Sequence, residues 1–344
     1  MIPLHVPVRE EWLRLRSEPI LDPGRVIVDP HHHLWDRPEG RYLFPELLAD
    51  MDSGHDVRAT VYVQCRSMLR VSGPEALRPV GEVEFANGVA AQGASGLYGR
   101  RHACAGIVGN ADLTLGDRVE PVLEALIRAG GDRLRGIRVP VAWHGDERVR
   151  SSPAQPPPGL MLDDRFQEGV RRLGPHGLSL DVWAYHTQLD EVFALARACP
   201  DVMIVLDHLG GLVGVGPHAD DPAGARAAWA AGLADLARLG NVRLKLGGLG
   251  MRVAGYGFHE AALPPSSEAL AEAWRPAVET GIGLFGAERC MFESNFPVDK
   301  GMVGYGVLWN AFKRLAAAGS ESERAALLAG TAAQVYRLDP EILR

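Results

Sequence analysis

Residues 26–35 read Val26-Ile-Val-Asp29-Pro-His31-His-His33-Leu-Trp35, a short apolar run that ends in three consecutive histidines. The β-branched residues at its start predict a buried strand. Successive side chains of a strand point to opposite faces, so we expect His31 and His33 on one face and His32 on the other. Two imidazoles on one face can converge on a single ion or a single substrate oxygen. The alternative is a pair of buried structural histidines.

The same kind of run recurs along the chain, and it alternates with segments whose apolar residues have helical spacing. Counting 26–33, there are eight strand candidates, of which the other seven are 58–64, 103–108, 134–139, 178–183, 202–208, 242–246 and 289–294. Eight strands that alternate with helices predict a parallel sheet closed into a barrel. A doubly wound open sheet is the alternative.

We therefore predict an α/β protein with a single (β/α)8 TIM-type barrel over residues 26–344. Residues 1–25 are predicted to form an N-terminal arm on the outside of the barrel. Long loops follow the fourth, sixth, seventh and eighth strands, at the carboxyl ends where barrel enzymes place their active sites. The concentration of long loops at this end of the barrel favours an enzyme.

Composition narrows the possible partners. The chain has 344 residues, and its 36 Lys+Arg against 43 Asp+Glu give a formal net charge of −7. Without a basic stripe or a long apolar segment, we expect neither nucleic acid nor membrane as a partner. The four cysteines are far apart and form no paired motif, which favours a reduced, cytoplasmic protein. A small-molecule substrate is expected, and a homo-oligomer is possible.

Three strand ends together resemble the amidohydrolase superfamily. They are the D-x-H-x-H of Asp29, His31 and His33 on the first strand, His208 at the end of the sixth, and Met291-Phe-Glu-Ser-Asn295-Phe-Pro297 on the eighth. The likeness covers about residues 25–337 and is strongest to the lactonase-type branch, amidohydrolase 2, with its sugar and pyrone-dicarboxylate lactonases.

The resemblance implies a barrel that hydrolyses lactones, esters or amides, with relatives that decarboxylate or hydrate. In the family, the H-x-H pair, histidines of strands five and six and a strand-eight aspartate surround a divalent metal ion. By this likeness His31, His33 and His208 would hold zinc or manganese, and His186 could be a fourth imidazole. Some lactonases of this branch work without a metal, so a metal-free mechanism stays open.

The strand-eight motif departs from the family, because Asn295 stands where the family has aspartate. An amide cannot act as a general base, so we expect Asn295 to orient water or substrate instead. Glu293 shares a strand face with Asn295 and is one candidate base, while His186, just after strand five, is the other. Glu293 is alternatively a buried structural carboxylate paired with Lys245 or Arg138.

Further polar side chains lie at or near the carboxyl ends of strands, namely Gln64, Arg66, Arg138 and Lys245. Each alone could be a salt-bridged barrel residue, but as a set they predict a pocket for an anionic or polyoxygenated substrate. The sequence thus favours a hydrolase that opens a lactone or related cyclic ester or amide. A non-hydrolytic lyase, such as a decarboxylase or hydratase, is the alternative, and an inactive binding protein is a third hypothesis.

Overall fold

The computed structural model describes residues 4–38 and 40–344 of the chain. At its centre, eight parallel strands each pair with the next strand of the barrel. They are β1 (Val26–His32), β2 (Asp56–Val63), β3 (His102–Gly109), β4 (Leu134–Pro140), β5 (Ser179–Trp183), β6 (Ile204–Leu206), β7 (Val242–Leu246) and β8 (Cys290–Phe292).

The sheet curls into a nearly closed barrel, because the end of β1 meets the segment after β8. The His33 N–H donates to the Phe296 carbonyl at 2.8 Å, and the Asn295 N–H donates to the His31 carbonyl at 2.9 Å. The predicted (β/α)8 barrel is therefore confirmed, and the doubly wound open sheet is wrong. Closure also brings the histidine motif beside the strand-eight motif.

A principal helix follows each strand, as the alternation of apolar runs with segments of helical spacing predicted. They are α1 (Phe44–Met51), α2 (Val80–Ala94), α3 (Glu120–Gly130), α4 (Asp164–Arg171), α5 (Leu189–Ala198), α6 (Pro222–Ala237), α7 (Ser267–Phe285) and α8 (Tyr305–Ala316). Short helices Glu321–Ala325, Thr331–Val335 and Pro340–Leu343 follow α8, and a small hairpin, Trp35–Arg37 with Gly40–Tyr42, follows β1. None of the helices in the described residues is long and apolar enough to cross a membrane.

The barrel interior is layered from apolar to polar. Val28, Val205 and Met291 pack together with Tyr336 and Leu338 from the C-terminal segment. Val28, Val205 and Met291 lie on β1, β6 and β8. In each case polar residues follow toward the carboxyl end of the strand. The polar side chains that matter for chemistry are therefore gathered at one end of the barrel, as parallel strands require.

The N-terminal arm lies against the loop after β7 and against helix α8. Trp12 Nε1 donates to the Ala261 carbonyl at 3.0 Å, and Arg16 Nε donates to the Pro264 carbonyl at 3.1 Å. Lys313 on α8 donates to the carbonyls of Leu21 and Asp22, each at 2.8 Å. The start of the arm reaches the mouth of the barrel, where His5 takes part in the pocket described next.

Candidate active site

A pocket opens at the carboxyl end of the barrel. Six of the residues singled out from the sequence line it, namely His33, Gln64, Arg66, Arg138, His208 and Asn295. Trp35, Arg37, Trp183, Met251 and His5 also line it. The structure thus brings together residues from β4 and from the segments directly after β1, β2, β6 and β8.

Glu293 lies directly behind two of the histidines. Its Oε1 accepts hydrogen bonds from the His208 backbone N–H at 3.0 Å and from His208 Nδ1 at 2.6 Å. Its Oε2 lies 2.8 Å from His31 Nδ1. A carboxylate can only accept, so His208 carries its proton on Nδ1 and presents the Nε2 lone pair. The tautomer of His31 is not fixed in this way, because the Lys245 ammonium lies 3.2 Å from the same Nδ1 atom and can only donate. His208 lines the pocket, whereas His31 is fully buried beneath it.

His33 has the same tautomer as His208 for a different reason. Its Nδ1 lies 2.8 Å from the Val63 carbonyl, which accepts the Nδ1 proton and leaves Nε2 as an acceptor. Burial lowers the pKa of His31 and of His33 well below the ordinary value; Lys245 adds to the effect on His31 and Arg138 to that on His33. Both rings are therefore neutral, as a ligand or proton acceptor must be.

The charge of Glu293 is set by its two histidine neighbours. Burial by itself would raise the pKa of the carboxyl, but the adjacent His208 and His31 lower it more, and the pKa lies well below its usual range. An ionised carboxylate with so low a pKa is a weak proton acceptor. The structure places Glu293 behind the imidazoles and outside the lining of the pocket, where it can orient them.

Lys245, which the sequence suggested as a substrate ligand, is fully buried in an ion-pair cluster. Its ammonium lies 2.8 Å from Asp181 Oδ2 and 3.0 Å from Asp207 Oδ1. Burial lowers the pKa of Lys245, but Asp181 and Asp207 raise it above the ordinary value, so the group stays charged. The Tyr336 hydroxyl donates to the same oxygen, Asp181 Oδ2, at 2.6 Å.

Arg138 joins this cluster to the pocket. Its Nη1 lies 3.3 Å from His31 Nε2 and 3.6 Å from Asp207 Oδ2, and its Nη2 donates to the Gln64 carbonyl at 2.9 Å. Three carboxylates, those of Asp181, Asp207 and Glu293, thus face two fixed cations. Further positive charge is favourable here, whether it comes from a substrate-linked proton or from a metal ion.

The residues fit a divalent metal ion. His31, Asp207 and His208 each offer one ligand atom, and these atoms lie within 4.8 Å of one another. In the described part of the chain, neither oxygen of Asp207 has a hydrogen-bond partner, although both make ion-pair contacts. Imidazoles held through Nδ1 by a carboxylate are the usual arrangement around protein-bound metals.

Asn295 lies at the pocket with a buried carboxylate behind it. Its Nδ2 donates to Asp299 Oδ1 at 2.8 Å, and the Gly250 N–H donates to Asp299 Oδ2 at 2.9 Å. Burial raises the pKa of Asp299 to about 7, against the opposing effects of His208 and of the Gly250 N–H.

The structure does not bring His186 to the pocket. Its Nδ1 accepts from the Val213 N–H at 3.3 Å, and its ring packs against His218 with 4.6 Å between centroids. Burial lowers the pKa of His186 to about 4, with a further contribution from His218. In this position His186 supports the loop after β6.

Sequence reasoning missed several residues of the site. Asp207 directly precedes His208, and its place next to a strand-end histidine was the available signal. Asp299 lies four residues after Asn295 in the loop that follows β8. Trp35 stacks on His33, with ring centroids 5.8 Å apart, and the Arg37 guanidinium lies 4.2 Å from the Trp35 ring centroid. No local pattern predicts this stack, because it depends on how the hairpin folds over β1.

Comparisons with known proteins agree with this architecture. The chain is 32% identical over 335 residues to the protein y4mH of Sinorhizobium fredii. The alignment covers 91% of this chain and 99% of that protein. It is 28% identical over 334 residues to the L-fucono-1,5-lactonase of Burkholderia multivorans, covering 92% and 97% respectively.

Solved structures of amidohydrolases are also similar to this chain. A crystal structure of an amidohydrolase from Burkholderia multivorans with bound HEPES matches with a TM-score of 0.71 and 27% identity, over 91% of this chain and 100% of that one. A zinc-bound crystal structure from the same organism matches with a TM-score of 0.70 and 26% identity, with the same coverage of both chains. Residues 28–338 match the sequence model of the amidohydrolase family. The chain therefore belongs to the amidohydrolase family of enzymes.

Proposed function

We propose that this enzyme hydrolyses a lactone, or a related cyclic ester, of a small anionic or polyoxygenated substrate. The observation that carries the proposal is the Glu293 carboxylate, which accepts the Nδ1 proton of His208 at 2.6 Å. His208 therefore presents a lone pair on Nε2 at the pocket. The similarity to an L-fucono-1,5-lactonase supports a lactone as the substrate.

In this proposal His208 is the general base. Its Nε2 takes a proton from water as the water oxygen attacks the lactone carbonyl carbon. The ring C–O bond then breaks, and the leaving oxygen receives that proton from Nε2. Glu293 stabilises the imidazolium that exists between the two steps, as the carboxylate of a catalytic triad does. Glu293 is then a positioning residue and not the proton acceptor that the sequence suggested.

The arginines of the pocket would bind and polarise the substrate. Arg138 is fixed by the Gln64 carbonyl, and its guanidinium lies close to His31 Nε2, so its position does not depend on the substrate. A fixed cation near the reacting carbonyl stabilises the oxyanion as it forms. Arg66 and Arg37 line the same pocket and suit a carboxylate or several hydroxyls.

A divalent cation such as Zn²⁺ or Mn²⁺ would be held by His31, Asp207 and His208, with His33 beside them. When bound, it would supply Lewis-acid polarisation of the substrate carbonyl. His208 Nε2 has one lone pair, so it cannot be a metal ligand and the proposed base at the same time. We therefore expect hydrolysis to persist after chelation and added Zn²⁺ to inhibit it. Loss of activity with EDTA, restored by one metal, would contradict His208 as the base.

The direct test is acid release from L-fucono-1,5-lactone and a panel of related sugar lactones, followed by pH-stat titration. His208→Asn should lower kcat at least about a hundredfold, which is the usual contribution of general acid–base catalysis. His186→Asn is the matched histidine variant outside the pocket, and it should cost far less. If His186→Asn is inactive and His208→Asn is not, the base assignment is wrong.

Lyase chemistry remains the second candidate because Asn295 cannot serve as a base. Decarboxylation consumes no hydrolytic water, so a missing strand-eight carboxylate would matter less. Carbon dioxide release from a panel of aromatic and enoic acids, without acid release from any lactone, would favour this second reaction.

A further inference from the structure

The amide of Asn295 is held from behind by a carboxylate. Asn295 and Asp299 are each about 1% exposed, so solvent does not compete for the contact between them. Asp299 uses both oxygens, accepting from Asn295 Nδ2 at 2.8 Å and from the Gly250 N–H at 2.9 Å. Acceptance at both oxygens suits the ionised carboxylate, which has no proton to donate.

This contact determines which end of the amide faces the pocket. A carboxylate accepts only from the amide nitrogen, so the amide oxygen turns away from Asp299, and Asn295 lines the pocket. The backbone of Asn295 is fixed as well, since its N–H donates to the His31 carbonyl at 2.9 Å and its φ is 54°. Neither rotation of the amide nor movement of the backbone is free.

We propose that Asp299 is a positioning residue that fixes Asn295 with its amide oxygen toward the pocket. There the oxygen accepts a hydrogen bond from the attacking water or a substrate hydroxyl and aligns it for reaction at the lactone carbonyl. The inference rests on the proposed hydrolysis. It assigns a role to a carboxylate that lies outside the pocket lining, and it accounts for an amide at position 295.

The pairing also constrains what position 295 can be. An aspartate there would place two carboxylates about 2.8 Å apart in a buried site, where like charges cannot both remain ionised. An amide at 295 and a carboxylate at 299 avoid this repulsion. The two positions should therefore be energetically coupled, and exchanging them together should be tolerated far better than changing Asn295 alone.

The test compares wild type, Asn295→Asp, Asp299→Asn and the exchanged double variant. The first measurement, thermal unfolding at pH 9 and pH 5, needs no substrate. We expect Asn295→Asp to be strongly destabilised at pH 9, less so at pH 5, and the double variant to recover most of the loss. Equal stability of wild type and Asn295→Asp at both pH values would overturn the proposed contact.

The second measurement is lactone hydrolysis by the folded proteins. Asp299→Asn removes the carboxylate but keeps the volume, and the free amide orientation should lower kcat about tenfold with little change in KM. The double variant should recover activity relative to Asn295→Asp, because one oxygen of the carboxylate introduced at position 295 again faces the pocket. Full kcat in Asp299→Asn would overturn the positioning role.

The two measurements separate the inference from the proposed function. A coupled stability cycle in a protein that hydrolyses no lactone would contradict the proposed function and the role in hydrolysis, while demonstrating the contact. An active enzyme with a flat stability cycle would contradict the inference alone.

Discussion

At the scale of single residues, hydrogen-bond partners decide the chemistry more than residue type does. His33 and His208 share one tautomer because a backbone carbonyl or a carboxylate accepts the Nδ1 proton of each. His186 has the same side chain, but its Nδ1 accepts a backbone N–H and its ring supports the loop after β6. The sequence could identify these histidines but could not rank them.

The role of Glu293 is testable by changing one atom. Glu293→Gln introduces an N–H₂ that cannot accept the His208 Nδ1 proton, and it removes the negative charge that stabilises the imidazolium in the proposed mechanism. We expect kcat to fall at least about a hundredfold, within the contribution of proton transfer, while the protein remains folded by circular dichroism.

Asp50→Asn is the matched control, since it changes a partly buried carboxylate that binds Lys300 and Tyr42 and makes no hydrogen bond to His31 or His208. Its kcat should stay within about threefold of wild type, whatever its stability. Near-normal turnover in folded Glu293→Gln would show that catalysis does not depend on the contact between Glu293 and His208.

At the scale of elements, the N-terminal arm is fastened by a small polar network. Lys313 on α8 binds two arm carbonyls and also donates to His55 Nδ1 at 2.9 Å, while His55 Nε2 donates to the Gly306 carbonyl at 2.9 Å. His55 precedes β2, so this network joins the arm, the barrel and α8. Burial lowers the pKa of His55 to about 4; the Gly306 carbonyl opposes this shift and Lys313 adds to it.

This network predicts a defined pH dependence. A histidine whose folded pKa lies below its ordinary value stabilises the fold fully above about pH 6.5, and that contribution is lost as pH falls toward 4. His55→Gln keeps an acceptor for Lys313 and a donor for Gly306 but does not titrate. Between pH 7 and pH 5, we therefore expect wild type to lose more free energy of unfolding than His55→Gln in urea denaturation. Equal losses in free energy of unfolding in the two proteins would contradict a contribution from protonation of His55.

At the scale of the whole molecule, the two ends of the barrel have different functions. The carboxyl end holds the pocket, and the C-terminal segment packs into the apolar layer of the barrel interior, where Tyr336 reaches Asp181. Asp181 in turn holds Lys245, so the segment that fills the barrel also supports the charge cluster under the pocket.

Two substitutions of Tyr336 separate the contribution of its ring packing to stability from that of its hydroxyl hydrogen bond. Tyr336→Phe removes a hydrogen bond to a buried carboxylate and should lower the free energy of unfolding by about 1–3 kcal/mol. Tyr336→Ala also leaves a cavity, and we expect a total loss of about 3–5 kcal/mol. Urea denaturation measures both values. Equal losses in the two variants would show that the hydroxyl, and not the ring, carries the contribution of Tyr336.

The sequence by itself determined the barrel, because eight apolar runs separated by helical segments have few other ways to bury their surfaces. It also placed six pocket residues at the correct end, since parallel strands all end on the same side. Only the tertiary structure placed Glu293 and Lys245 behind the pocket, moved His186 out of it and paired Asn295 with Asp299. The periodicity of the sequence indicates on which face of its strand each residue lies and how close it is to the carboxyl end. It does not give the distance between side chains from strands far apart in the sequence, and those distances set the proton positions on which the chemistry depends.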